Sequence, residues 1–201
     1  HNSHYHPFLL KAVPRCQDVL EIGCGTGDFS RLLAERADHV QALDLSPQMI
    51  RLAQARSKSF TNIDFQVADF LEWTLLTETY DCVVTIATLH HLPLIESLRK
   101  MRQVLKVGGT LVVLDLFTQS GLSDYLTSAV AAPAGFVLSA LRNRRVRKSP
   151  VERAAWDEHG QHDHYLTLAH IRSVCAQMLP GAQVRKHLFW RYSLIWKKTV
   201  A

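Results

Sequence analysis

Residues 19–30 read VLEIGCGTGDFS: an apolar run carrying Glu21, then Gly23, Gly25 and Gly27 at alternate positions, then a segment of helical period. Glycines so spaced let the backbone take positive φ and come close to a ligand, and the helix start behind them offers N–H groups with no partner inside the helix. The run is a cradle for a nucleotide-like group. Asp44 closes the next apolar run, where a carboxylate can accept both hydroxyls of a ribose. His90 and His91 follow a later apolar run, at the rim where open α/β sheets bind ligands. Near neutral pH an imidazole there can take a proton from a phenol or an ammonium; capping the next helix is the other use of such a residue. Two further groups share the spacing H-x-x-H-x-H: His1, His4 and His6, and His159, His162 and His164 beside Glu158 and Asp163. Histidine with carboxylate can hold zinc or a harder ion, but this spacing fits no common ligand frame, and no metal is expected.

These residues need a scaffold, and the hydrophobic pattern supplies one. Residues 19–22, 40–43, 63–67, 82–86 and 110–114 are rich in Val, Ile and Leu on both faces, as parallel strands covered by helices should be. Helical stripes lie between them. Phe29, Leu32 and Leu33 make one, and Ser46-Pro47 caps a second that carries Met49, Ile50 and Ala53. Leu94, Leu98, Met101 and Leu105 make a third, with Gly108-Gly109 as its stop. After Asp115 the rhythm breaks for about fifty residues, longer than a βα loop needs. Order returns with an amphipathic helix through Leu168, Ile171, Val174, Cys175 and Met178, and then with 184–190 and 192–198, joined too tightly for a crossover. The fold expected is α/β: a Rossmann-like, seven-stranded, mostly parallel sheet with an antiparallel C-terminal edge hairpin and helices on both faces. It forms one domain over 1–201, with 116–165 as an insertion covering an acceptor pocket.

Two cofactors suit the cradle, a dinucleotide and S-adenosylmethionine, and spacing separates them. A dinucleotide fingerprint is G-x-G-x-x-G, whereas here the glycines run G-x-G-x-G and Asp28 follows, an acid that would repel a pyrophosphate but not a sulfonium zwitterion. With Glu21 before the first glycine, the region resembles the first motif of class I S-adenosylmethionine-dependent methyltransferases. Val67-Ala68-Asp69-Phe70 resembles the family's adenine-binding turn, 80–92 its fourth-strand segment, and 106–111 its helix end and fifth strand. The resemblance implies that Gly23, Gly25 and Gly27 line the methionine and ribose, with Glu21 behind the loop. It implies further that Asp44 holds the ribose hydroxyls, Leu45 packs on adenine, Asp69 accepts from the adenine amino group with Phe70 beside the ring, and the backbone around Ile86, Ala87 and Thr88 faces the methionine. Turn capping is the other use of an Asp at 44 and 69. Residues 2–8, with Tyr5 and His6, sit where relatives fold a lid over the cofactor; a tag remnant is the other reading of a chain that opens on His1.

The expected activity is methyl transfer to a small, largely apolar or aromatic acceptor, at O, N or C. Positioning supplies much of the rate, with His90 or His91 as base where the acceptor carries a proton. Tyr5, His6, His164 and Tyr165 are the candidates for the acceptor pocket. The turn after 82–86 reads Ala-Thr-Leu-His and lacks the Asn/Asp-Pro-Pro-aromatic pattern of enzymes acting on base amines or glutamine amides. Two alternatives stand beside this reading: a macromolecular acceptor, RNA or protein, and a cofactor-binding module without transfer activity.

Composition places these expectations. The chain has 201 residues, 47% hydrophobic, and a formal charge of +5, of which Arg142, Arg144, Arg145, Arg147 and Lys148 form one cluster beside the apolar run 122–141. That pairing fits an apolar cover over the cleft or a peripheral contact of 122–148 with anionic lipid. Nucleic acid is not expected, because no aromatic residue interrupts the cluster. Cys16, Cys24, Cys82 and Cys175 form no C-x-x-C pair, and neither a leader nor a run of eighteen apolar residues is present, so a cytoplasmic protein with reduced thiols is expected.

Overall fold

Each apolar run becomes a strand, because a segment with branched aliphatics on both faces is stable only between two covering layers. The computed structural model describes residues 2–74, 76–118 and 165–200. Its strands are β1 (Cys16–Ile22), β2 (Ala37–Asp44), β3 (Ile63–Val67), β4 (Tyr80–Ile86), β5 (Leu105–Leu116), β6 (Gln183–His187) and β7 (Arg191–Lys197). They form one sheet in the order β3-β2-β1-β4-β5-β7-β6. Strand β7 pairs antiparallel with β5 and β6, and every other pairing is parallel. This is the expected Rossmann-like sheet with its edge hairpin.

Helices α1 (His6–Ala12), α2 (Asp28–Ala34) and α3 (Pro47–Arg56) cover one face, while α4 (Leu94–Val104) and α5 (Leu168–Met178) cover the other. Side chains alternate accordingly. On β1, Leu20 and Ile22 join a core with Leu98, Met101 and Ile171, while Val19 joins Leu9, Phe29 and Leu33. The Ser46 hydroxyl accepts from the Met49 N–H at 3.3 Å, the cap expected of Ser46-Pro47.

Three local features differ from the sequence reading. Helix α4 stops at Val104, short of Gly108-Gly109. Leu105 already pairs with Tyr80, and the register shifts before Cys82 meets Thr110. Gly108, at φ +82, sits in that irregularity with its N–H on the Lys198 carbonyl at 2.7 Å, so the glycines serve a bulged strand rather than a helix end. At the hairpin, β6 ends at His187, and Phe189 and Trp190 turn the chain at φ 59 and 57. The third feature is α1, in a segment read as a lid: Tyr5, Leu9 and Val13 are buried in the core. The insertion core, 119–164, lies outside the described residues, as do the cluster 142–148, the whole of the expected membrane contact 122–148, and His159, His162 and His164. On either side of it, the Thr118 N–H donates to the Leu166 carbonyl at 2.9 Å, and Thr118 bridges Thr167.

Candidate functional site

The glycine run leaves β1 at the carboxyl edge of the sheet and is tied to β2: the N–H groups of Gly23 and Cys24 both donate to the Leu43 carbonyl, at 2.8 and 2.9 Å. Gly23, Gly25 and Gly27 are all left-handed, at φ +74, +53 and +72. Gly23 must lack a side chain because a Cβ there would lie 2.0 Å from Thr88 Oγ1. Gly25 differs: a Cβ would meet nothing within 4 Å, so its bare backbone faces open space. That opening is where a ligand could lie against the loop.

Asp44 ends β2 beside this opening and is buried. Its Oδ2 accepts from the Gly25 N–H at 2.8 Å and its Oδ1 from the Ser46 N–H at 2.9 Å. The turn-capping use is therefore real, yet it leaves lone pairs on both oxygens, enough to receive two ribose hydroxyls. Leu45 and Val67, at the ends of β2 and β3, are 58% and 48% exposed, apolar surface suited to the face of a purine. Asp69 is half-buried, and its Oδ1 accepts from the Leu71 N–H at 2.8 Å. Phe70 points into the core beneath the Lys100 ammonium, 5.3 Å from its ring centre.

Glu21 lies behind the loop, buried, accepting from the Ser30 hydroxyl of α2. Burial pushes its carboxyl up to about 8 and the Asp44 charge adds to the rise, while the Ser30 hydrogen bond opposes both.

The rim continues onto β4. Ile86 and Ala87 are half-buried, and Ala87 takes φ 52 while its N–H reaches the Leu114 carbonyl at 2.7 Å. His90 and His91 follow on the 3-10 turn Leu89–His91 with ring centres 3.9 Å apart. Tyr165 stacks on His90 at 5.2 Å and 19° and is 41% exposed. Of the four pocket candidates, then, Tyr165 joins the rim histidines. Tyr5 is buried, its hydroxyl donating to the Leu188 carbonyl at 2.7 Å, and the His6 ring packs on Phe29 at 4.9 Å, where burial lowers its pKa. His164 lies outside the described residues. Asp115, near the end of β5, is a residue that sequence reasoning passed over: its Oδ1 lies 2.6 Å from His90 Nδ1. An acid at the end of an apolar strand, like Asp44, was the available signal.

A parallel sheet with a glycine cradle after its first strand and an acid ending its second defines a nucleotide-cofactor site of the Rossmann-like kind. The methyltransferase-domain family profile matches residues 19–109. An uncharacterized methyltransferase of Mycobacterium tuberculosis is 32% identical over 205 residues, covering 99% of this chain and 96% of that protein. A malonyl-[acyl-carrier protein] O-methyltransferase of a Paenibacillus species is 33% identical over 70% of this chain and 52% of its own length. Among solved structures, a protein of Pyrococcus horikoshii shares the fold, with a TM-score of 0.69, 21% identity, and coverage of 98% of this chain and 89% of that one. The chain belongs to the class I S-adenosylmethionine-dependent methyltransferases, and S-adenosylmethionine is its cofactor. Among the described residues no helix is long and apolar enough to cross a membrane.

Proposed function

We propose that the protein methylates a small, largely apolar or aromatic acceptor held at the carboxyl rim of the sheet, against His90 and Tyr165. The observation that carries this reading is the stacked Tyr165–His90 pair, an aromatic platform next to the strand ends that border the cradle. Leu188 and Trp190, in the hairpin turn behind Tyr5, add exposed apolar surface at 48% and 47%. The bonds of Thr118 to Leu166 and Thr167 return the chain to this rim after the insertion, which supports a covering role for 116–165.

When bound, S-adenosylmethionine supplies a methyl group already activated by a sulfonium leaving group. The chain's own residues have the remaining tasks. Gly25 admits the ligand, Asp44 orients its ribose, and Leu45 covers the adenine while Asp69 receives the amino group. Ile86 and Ala87 bound the methionine end, and Glu21 stabilises the loop from behind. Phe70 supports the adenine turn from the core rather than touching the ring. His90 or His91 takes up the acceptor's proton where it has one. Tyr5, bonded to the hairpin turn, and His6, packed on Phe29, form the wall of the pocket on the side of α1.

The test is incubation with methyl-labelled cofactor and a metabolite extract. A labelled small product is expected. Label found solely on RNA or on amino-acid side chains would overturn the small-acceptor reading, and cofactor binding without any transfer would leave a binding module. Acyl-carrier fractions belong in the same screen, because the Paenibacillus relative is named for a malonyl group on such a carrier.

A further inference from the structure

His90 and Asp115 are 25 positions apart and meet because β4 and β5 are neighbours whose carboxyl ends lie on one edge. The contact, 2.6 Å from Nδ1 to Oδ1, is nearly closed to solvent, with side-chain exposures of 7% and 2%. Leu89, Leu92, Leu116, Leu166 and Ile171 line the small cavity beside the pair. Among the described residues, the charged and titratable groups around it include His91 on the same turn, Tyr165 stacked on the imidazole, and Arg191 and Tyr192 of β7, both within electrostatic reach of Asp115.

A carboxylate this close and this dry accepts the hydrogen of Nδ1, and a neutral imidazole carries only one. The lone pair is then at Nε2, on the ring edge away from Asp115. We infer that Asp115 is a positioning residue that holds His90 as the Nδ1–H tautomer, making Nε2 the base for an acceptor whose attacking atom is the oxygen of an O–H or the nitrogen of an N–H. This rests on the reading of the His90 rim as the acceptor site and narrows it. The step balances: the acceptor proton goes to Nε2, the oxygen or nitrogen lone pair forms the bond to the methyl carbon, the carbon–sulfur bond breaks, and its electron pair stays on sulfur as a neutral thioether. The imidazolium so formed is stabilised by the Asp115 carboxylate and returns its proton to water after product leaves.

Nitrogen NMR of histidine-labelled protein, recorded at alkaline pH with S-adenosylhomocysteine present, reads the tautomer directly and needs no acceptor. In the wild type, His90 is expected to carry its hydrogen on Nδ1. In Asp115→Ala that preference is lost, and in Asp115→Glu it is at least partly kept. Methyl transfer into the extract pool is expected to fall roughly 10²-fold or more in both His90→Gln and Asp115→Ala, the range of a lost general base, with S-adenosylhomocysteine affinity unchanged. A wild-type His90 protonated on Nε2 would overturn the inference even if no variant folds. Undiminished transfer in His90→Gln with the wild-type tautomer as expected would overturn the base and the acceptor class while leaving the Asp115 contact as an anchor. Label that never leaves the cofactor, by contrast, overturns the acceptor-site reading itself.

Discussion

Gly23 and Gly25 stand two positions apart with the same backbone handedness, and they are irreplaceable for different reasons. A Cβ at Gly23 would overlap Thr88 Oγ1 at 2.0 Å, and Thr88 is held by its own bond to the Ile86 carbonyl at 3.2 Å, so the neighbour cannot simply turn away. At Gly25 a Cβ meets no protein atom, and the remaining penalty is that of an L residue in the left-handed region, about 1–2 kcal/mol. Gly23→Ala is therefore expected to lower unfolding free energy by roughly 2–4 kcal/mol, steric overlap added to backbone strain. Gly25→Ala should lose no more than about 2 kcal/mol while weakening S-adenosylhomocysteine binding at least ~10-fold, a loss of about 1.4 kcal/mol, because its methyl enters the ligand's space. Denaturant unfolding and calorimetric titration on both variants separate the two roles. If Gly25→Ala bound the ligand as well as the wild type, the open space beside that residue would not be the cofactor's.

At the level of elements, α1 shows how a segment can be misread when its partners lie far away in sequence. Tyr5, Leu9 and Val13 repeat at i, i+4 and i+8, a helical stripe legible in the sequence, whereas the lid expected of residues 2–8 rests on the resemblance to relatives. The stripe packs on Val19, Phe29 and Leu33, and the Tyr5 hydroxyl reaches the hairpin turn 183 positions on. Leu9→Ala is expected to cost roughly 2–5 kcal/mol, as for a fully enclosed leucine elsewhere, measured by the denaturant midpoint; a loss under about 0.5 kcal/mol would mean that α1 is an appendage. The strands were legible because buried parallel strands leave uninterrupted aliphatic runs, and the places of Gly25, Asp44 and Leu45 at the loop and strand end because loop and strand-end patterns are local. The His90–Asp115 pair and the stacking of Tyr165 were not, since pairing depends on strand order and on where a long insertion returns. Nor was the hairpin turn, where Phe189 and Trp190 hold conformations that sequence rules reserve for Gly or Asn.

Across the whole molecule, the two ends of the sheet have different duties. At the amino edge, Asp81 accepts from the N–H groups of Gln17 and Asp18 at 3.1 and 2.9 Å and pairs with Lys106 at 2.9 Å. Its acid is held below the usual range by those bonds and the lysine, against a partial desolvation that acts the other way. At the carboxyl edge, Asp44 makes a similar pair of backbone bonds but borders the open cradle. Both aspartates thus stabilise the free protein, each by roughly 1–2 kcal/mol of hydrogen bonding, and only Asp44 should link stability to ligand. A ligand at 100 times its dissociation constant adds about 2.7 kcal/mol to the native state, which for a chain of this size raises Tm by roughly 5–10 °C. Asp81→Ala and Asp44→Ala are both expected to melt lower than the wild type without ligand. With S-adenosylhomocysteine added, Asp81→Ala should recover the full rise, because its loss is at the far edge, whereas Asp44→Ala should show little or none. A thermal shift series reads all four states, and an equal ligand-induced rise in the two variants would remove Asp44 from the binding site and return it to the role of a turn cap.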